Sequence, residues 1–261
     1  RNPKDRVKIA LVGKYIELKE SYKSLCEALT HGGLPQYSRV EVMWVDSGRF
    51  ESEGTAAVLD PADGILIPGG FGNRGIEGKV EAIRYARETG KPFLGICLGM
   101  QCAAIEFARN VLGLKEANSS EFEPKTPDPV IDLIPSQKNK EDKGGTMRLG
   151  AYPCDLKEGT IAQKAYGVLK VSERHRHRYE FNNAYLSRFE KAGMKVSGVY
   201  SEEGLVEIME LSDHPWFLAT QFHPEFRSRP TGAHPIFRDF IQAALGVKAK
   251  TVRDHGKKDN V

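Results

Sequence analysis

Three side chains in this sequence could together do acyl-transfer chemistry: Cys97, His223 and Glu225. Cys97 lies in Gly95-Ile96-Cys97-Leu98-Gly99, after the apolar run Pro92 to Ile96. After it, Met100, Ala103, Ala104, Phe107, Ala108 and Val111 recur at three- and four-residue spacing. The run reads as a buried strand and the repeat as an amphipathic helix. A cysteine on a sharp strand-to-helix turn, with glycine two residues to either side, is the sulfur form of the nucleophile elbow. The helix start supplies open N–H donors at Leu98 and Gly99, and its positive end favours a thiolate. The competing reading is a buried cysteine that packs as a small hydrophobe. The two glycines and the strand–helix context favour the nucleophile.

His223-Pro224-Glu225 follows the apolar run Phe217 to Phe222. A residue before proline is pushed to extended geometry, and residues two apart on an extended segment share a side. Glu225 can then hold one ring nitrogen of His223, which leaves the other to exchange a proton with Cys97. A His-x-Glu pair alone carries little weight. Joined to the cysteine elbow, it points to a Cys–His–Glu triad.

Gly70 to Gly75 spells Gly-x-Gly-x-x-Gly, but it is not on the first strand, and the next strand ends in a cysteine where a dinucleotide fold needs an acidic residue. No Gly-Lys-Ser/Thr of a P-loop is present. The loop is either a plain turn or the source of a backbone N–H that joins that of Leu98 in an oxyanion hole. Arg174-His175-Arg176-His177-Arg178 is the densest charge cluster. It lacks the aromatic interleaving of a nucleic-acid patch. Two alternate histidines could begin a metal site, but no acidic or cysteine ligands cluster with them in sequence. A solvated or ligand-facing basic strand edge is the favoured reading, with an arginine suited to an amino-acid carboxylate.

The elements that must position these groups follow from patterning. Val7 to Val12, Val40 to Val45, Gly64 to Ile67 and Pro92 to Ile96 read as strands. Tyr22 to Leu29 and the Val80–Ile83–Ala86 repeat read as helices between them. That alternation predicts an α/β fold: a mostly parallel central sheet with helices on both faces and the site at the strands' carboxyl ends. Pro124 to Pro135 reads as irregular, Gln137 to Gly145 as an exposed loop, and Thr146 to Asp155 as a strand. Lys195 to Tyr200, Val206 to Leu211 and Phe217 to Phe222 are further strands, and Ile236 to Leu245 is a helix. One domain over residues 1–247 is expected, with a disordered basic tail over 248–261. A net charge of +3 over 261 residues argues for no nucleic-acid partner, and no apolar run is long enough for a membrane span. Four cysteines without a CxxC pair suggest a reducing cytoplasm. The chain opens at Arg1, which fits a piece of a longer polypeptide.

Pro68-Gly69-Gly70, the cysteine elbow and His223-Pro224-Glu225 resemble the class I glutamine amidotransferases, whose sheet is flavodoxin-like. Gly70 to Gly75, Cys97 to Gln101, Asn118 to Phe122, Gly144 to Gly150, Glu173 to Arg178 and His223 to Phe226 together resemble the glutaminase domain of the CTP synthase family. The resemblance implies L-glutamine as substrate, with Cys97, His223 and Glu225 as triad and Gly70 and Leu98 as oxyanion donors. It places glutamine contacts at Gly70, Leu98, Gly99, Met100, Gln101, Glu121 and Arg178. It implies no cofactor and no metal in this domain. ATP, Mg and UTP are expected in an N-terminal synthase domain of the same polypeptide, and the full-length enzyme is expected to be a homotetramer. GTP is the implied allosteric activator, with Phe71 and Arg74 as contact candidates and Thr146 to Gly150 as a lid. Another triad amidotransferase, a stand-alone gamma-glutamyl hydrolase and a non-catalytic regulatory module remain as alternatives.

Overall fold

The computed structural model describes residues 3–13, 19–70, 75–133 and 147–258, with side chains through residue 249. The first half is built from β1 (Asp5–Gly13), α1 (Lys23–Gly33), β2 (Ser38–Asp46), α2 (Arg49–Glu53), α3 (Thr55–Leu59), β3 (Gly64–Ile67), α4 (Ile76–Thr89), β4 (Phe93–Ile96) and α5 (Leu98–Asn110). After it come β5 (Asn118–Ser119), β6 (Pro129–Leu133), β7 (Arg148–Leu156), α6 (Ile161–Tyr166), β8 (Lys170–His177), β9 (Tyr179–Phe181) and α7 (Leu186–Lys191). The chain then runs through β10 (Met194–Tyr200), β11 (Leu205–Leu211), β12 (Phe217–Thr220) and α8 (Pro235–Lys258).

A nine-stranded sheet has the order β2-β1-β3-β4-β12-β11-β10-β7-β8. From β2 to β12 the neighbours are parallel; from β12 to β8 each pair is antiparallel. The parallel half is the part that the strand–helix alternation reveals. Its inner strands β3 and β4 are buried on both faces: Ile65, Leu66, Ile67, Phe93, Leu94 and Ile96 have no exposed surface, as expected of strands covered by helices on each side. One layer packs α4 and α5 against the sheet around Val80, Ile83, Ala103 and Phe107. The other sets α1 and α8 against it around Leu25, Leu29, Phe237, Phe240 and Ile241.

The stretch from Pro124 to Pro135, expected to be irregular, contains a strand. β6 pairs in parallel with β5 and antiparallel with β9, forming a separate three-stranded sheet. Pro129 is its first residue, a position where proline costs little in a ladder, and Val130 and Ile131 are fully buried. α8 continues past Leu245 to Lys258, through the stretch expected to be disordered. No proline interrupts it, and Ala, Lys and Arg are good helix formers. Lys248, midway along it, pairs with Asp5 at 3.1 Å, which ties the helix to β1. The expected loop Gln137 to Gly145 lies outside the described residues, as do Phe71, Arg74 and Thr146.

Candidate active site

Three adjacent parallel strands end at one place. β3 runs out into Pro68-Gly69-Gly70, β4 into Cys97, and β12 into Gln221, Phe222 and His223. The Cys97 N–H donates to the Thr220 carbonyl (2.7 Å), so the ends of β4 and β12 are latched together just before the reacting groups.

Cys97 has φ 52° and ψ −102°; among the described non-glycine residues it shares a positive φ only with Tyr37. Such a conformation costs about 1–3 kcal/mol and persists where the surroundings over-determine it. Here the surroundings are close backbone contacts. A Cβ at Gly99 would fall 2.3 Å from the Ile67 carbonyl oxygen. The first turn of α5 therefore presses on the end of β3, and only glycine permits that approach. The N–H groups of Met100 and Gln101 return to the Cys97 carbonyl at 3.0 and 3.2 Å. Leu98 and Gly99, ahead of them, stand at the open positive end of the helix.

His223 stands beside Cys97, within hydrogen-bonding reach of it. Its Nδ1 is 2.7 Å from Oε1 of Glu225, which leaves Nε2 for the sulfur. Burial alone would lower the His223 pKa, but hydrogen bonds to Cys97 and Glu225 and the charges of both outweigh it and raise it to about 10. Gly69 closes the third side, since a Cβ there would sit 2.7 Å from His223 Cε1 and 3.5 Å from Cys97 Cβ. Phe226 stacks on the imidazole at 5.3 Å between centroids. The expectation that His223 and Glu225 share the side of an extended segment is corrected. His223 itself is near-extended (φ −108°, ψ 87°), but Pro224 to Arg227 form a 3-10 turn. Proline's fixed φ and missing N–H suit the first position of that turn, which folds the carboxylate back onto the ring.

A cavity of about 320 Å³ opens beside the sulfur, lined in part by Gly70, Gln101, Glu121, Arg178, Met147 and Tyr179. Four of the sequence-derived glutamine contacts thus meet at Cys97, with a carboxylate and a guanidinium both at the cavity. Leu98, Gly99 and Met100 are buried in the first turn of α5 beside it, where backbone rather than side chain is available. Met147, Arg176, His177 and Tyr179 complete the cavity wall; sequence marks Met147 only within the expected lid, Arg176 and His177 only within a basic run, and Tyr179 not at all.

The Arg–His run resolves by strand alternation. On β8, Arg174 and Arg176 face out, while His175 and His177 are buried at 3% exposure. The exposed positions of the edge are therefore its arginines, of which Arg176 also lines the cavity. His175 Nε2 meets Glu207 Oε2 at 2.5 Å, and Arg148 pairs with Glu207 at 2.6 Å and with Glu180 at 3.2 Å. Tyr152 and Tyr200 lie against the Arg148 guanidinium, centroids 4.4 and 4.7 Å away. His177 Nδ1 is 3.4 Å from Glu180 without hydrogen-bond geometry. Burial, and then the charges of His175, Arg148 and His223, push its pKa well below the usual histidine range. The two acidic partners come from β9 and β11, far away in sequence. Among the described residues no group of three or more His, Cys, Asp or Glu is arranged to hold a metal ion. All four cysteines are free, and no described helix is long and apolar enough to cross a membrane.

The chain matches the family Glutamine amidotransferase class-I over residues 17–243. It is 60% identical over 251 residues to a CTP synthase of Geobacter metallireducens, covering 96% of this chain and 47% of that protein. A CTP synthase of Caldanaerobacter subterraneus subsp. tengcongensis is 57% identical over 248 residues, 95% of this chain and 46% of its own length. The chain thus spans about half the length of the curated relatives it matches. Among solved structures, the glutaminase domain of Trypanosoma brucei CTPS with bound acivicin superposes with a TM-score of 0.86. It is 38% identical and covers 92% of this chain and 94% of its own. The chain belongs to the class-I glutamine amidotransferases, in the branch formed by the glutaminase domains of CTP synthases.

Proposed function

We propose that Cys97, His223 and Glu225 hydrolyse L-glutamine through a glutamyl thioester and supply ammonia to a synthase domain. The observation that carries this reading is the convergence of a positive-φ cysteine and a Glu-held histidine at the ends of β4 and β12, beside a cavity with Glu121 and Arg178. Glu121 suits the α-ammonium of the substrate, and Arg178 its α-carboxylate as a planar two-point donor. The Cys97 thiolate attacks the side-chain carboxamide carbon. Negative charge moves to the carbonyl oxygen, where the N–H groups of Gly70 and Leu98 stabilise it. The C–N bond breaks as His223 gives its proton to the leaving nitrogen, and ammonia departs. A water that loses its proton to His223 then attacks the thioester, and glutamate and the free thiolate are released. Glu225 keeps the imidazole in one tautomer and orientation throughout.

The relatives are about twice as long as this chain. We infer that the ammonia aminates UTP to CTP at the expense of ATP in a synthase half that also holds Mg. The whole enzyme would be a homotetramer in the cytoplasm, and GTP would activate the glutaminase. Phe71 and Arg74 are the proposed GTP contacts. The test is ammonia release from glutamine with and without GTP, on this chain and with a synthase domain present. Glutamine-dependent release that is lost in Cys97→Ala supports the reading; release that survives the substitution refutes it.

A further inference from the structure

The sulfur of Cys97 has a second polar neighbour besides His223. Gln221 is fully buried, and its Nε2 lies 3.7 Å from Cys97 Sγ, within range of an N–H···S hydrogen bond. Its orientation is fixed by a chain of partners. Gln101 Nε2 donates to the Tyr179 carbonyl at 3.0 Å and to Gln221 Oε1 at 3.3 Å. A backbone carbonyl can only accept, so the nitrogen of Gln101 must face Tyr179. The second hydrogen on that nitrogen then requires the oxygen of Gln221, which turns the Gln221 NH₂ toward the sulfur. The Gln221 backbone is held as well, its N–H donating to the Glu207 carbonyl at 2.8 Å.

We propose that Gln221 is a positioning residue for the nucleophile, a fixed neutral donor that stabilises the Cys97 thiolate, oriented for that purpose by Tyr179 and Gln101. This rests on the reading of Cys97 as nucleophile and adds a group that the triad does not contain. A thiol sulfur is a weak acceptor, whereas a thiolate receives a charge-assisted bond of roughly twice the strength. The donor therefore favours the charged sulfur over the neutral one, and its hold weakens once the sulfur is acylated. It also acts without giving up a proton, so it cannot protonate the nucleophile as His223 can. Gln101 has both N–H groups spent, so it can offer an occupant of the cavity only its carbonyl oxygen.

The test is the rate of Cys97 alkylation by iodoacetamide across pH, followed by peptide mapping so that Cys26, Cys102 and Cys154 are read separately. Gln221→Leu and Gln221→Met should each move the midpoint of the Cys97 alkylation profile up by about one pH unit, a roughly tenfold loss of rate on the acid side of that midpoint, because a hydrogen bond to a charged group is lost. The curves should rejoin the parent's at high pH, where the sulfur is charged regardless; a merely structural role would lower the rate at every pH or at none. Gln101→Leu should give a smaller loss in the same direction, and the Gln101→Leu/Gln221→Leu double variant should lose no more than Gln221→Leu alone. In the unsubstituted chain, the Gln221 side-chain amide protons should shift in NMR spectra as Cys97 is titrated or alkylated. Folded Gln221 variants with the parent's pH profile, or amide protons that stay put, would overturn the role of Gln221 and leave the triad standing. A parent Cys97 that alkylates no faster than Cys26 would overturn both.

Discussion

Two buried histidines near Cys97, one beside its sulfur and one on the cavity wall, carry opposite charge preferences. His223 sits between Cys97 and Glu225, and its pKa is raised to about 10. His177 lies on the cavity wall, and burial together with His175, Arg148 and His223 pushes its pKa well down. Both are largely buried, and both have a glutamate two or three residues further on: Glu225 at 2.7 Å from one, Glu180 at 3.4 Å from the other. Spacing and burial therefore do not decide the charge of either. The neighbours do. His223 has two partners that can be negative, whereas the glutamate beside His177 is already engaged by Arg148. Burial, Glu207's charge and then Arg148's opposing pull leave Glu180 itself raised well above the usual carboxylate range. The first arrangement favours the charged ring, as the proposed proton carrier needs; the second favours a neutral one.

The largest expected effect removes the sulfur. Cys97→Ala should lower glutamine-dependent ammonia release by a thousandfold or more, on the order of losses seen when a nucleophile is deleted. The thermal midpoint should stay close to the parent's, as measured by calorimetry. Within the His223 pair, His223→Ala should cost more than Glu225→Ala by on the order of tenfold or more, because the carboxylate orients the base without itself passing the proton. Equal kcat losses in the two variants would remove that division of roles.

The other region should fail by unfolding rather than by lost chemistry. Arg148→Met leaves Glu180 and Glu207 without their buried cation, a change worth about 3–5 kcal/mol when one partner of a buried pair is removed. Denaturant melts should show that loss, whereas Glu225→Ala should show much less.

The smaller effects are in pH dependence, and their signs oppose. His223 has a folded pKa above its unfolded value of about 6.5, so its contribution to stability is full below that value and fades as pH rises toward about 10. His177 has a folded pKa below its unfolded value, so its contribution is present above about 6.5 and fades as pH falls. Thermal midpoints measured across pH should flatten on the alkaline side in His223→Gln and on the acid side in His177→Gln. The same side flattening in both variants would contradict the contrast.

The elbow was legible because everything that makes it is local: an apolar strand, a cysteine, two glycines and a helical repeat between Pro92 and Val111. The carboxyl-end location followed from the alternation of strands and helices in the first half. The wall was not legible. Arg148 pairs with His177 across β7 and β8, while Glu180 and Glu207 arrive from β9 and β11. No short spacing announces such a set, so the run from Arg174 to Arg178 looks solvated when alternate members are buried. Gln221 was hidden for a related reason: its partners Gln101 and Tyr179 come from α5 and β9. β6 was masked by the prolines at 124, 127, 129 and 135 around it, and only its pairing with β5 and β9 shows that Pro129, opposite Asn118, stands at a strand's start.

The most direct test of the triad is to trap what it makes. Acid quench during glutamine turnover, followed by peptide mass mapping, should find a glutamyl group on the peptide that carries Cys97 and none on those of Cys26, Cys102 or Cys154. His223→Ala should abolish it, and Glu225→Ala should reduce its rate of formation. Turnover of glutamine with Cys97 unmodified, or a glutamyl group carried by another cysteine, would contradict the assignment of Cys97 as the nucleophile.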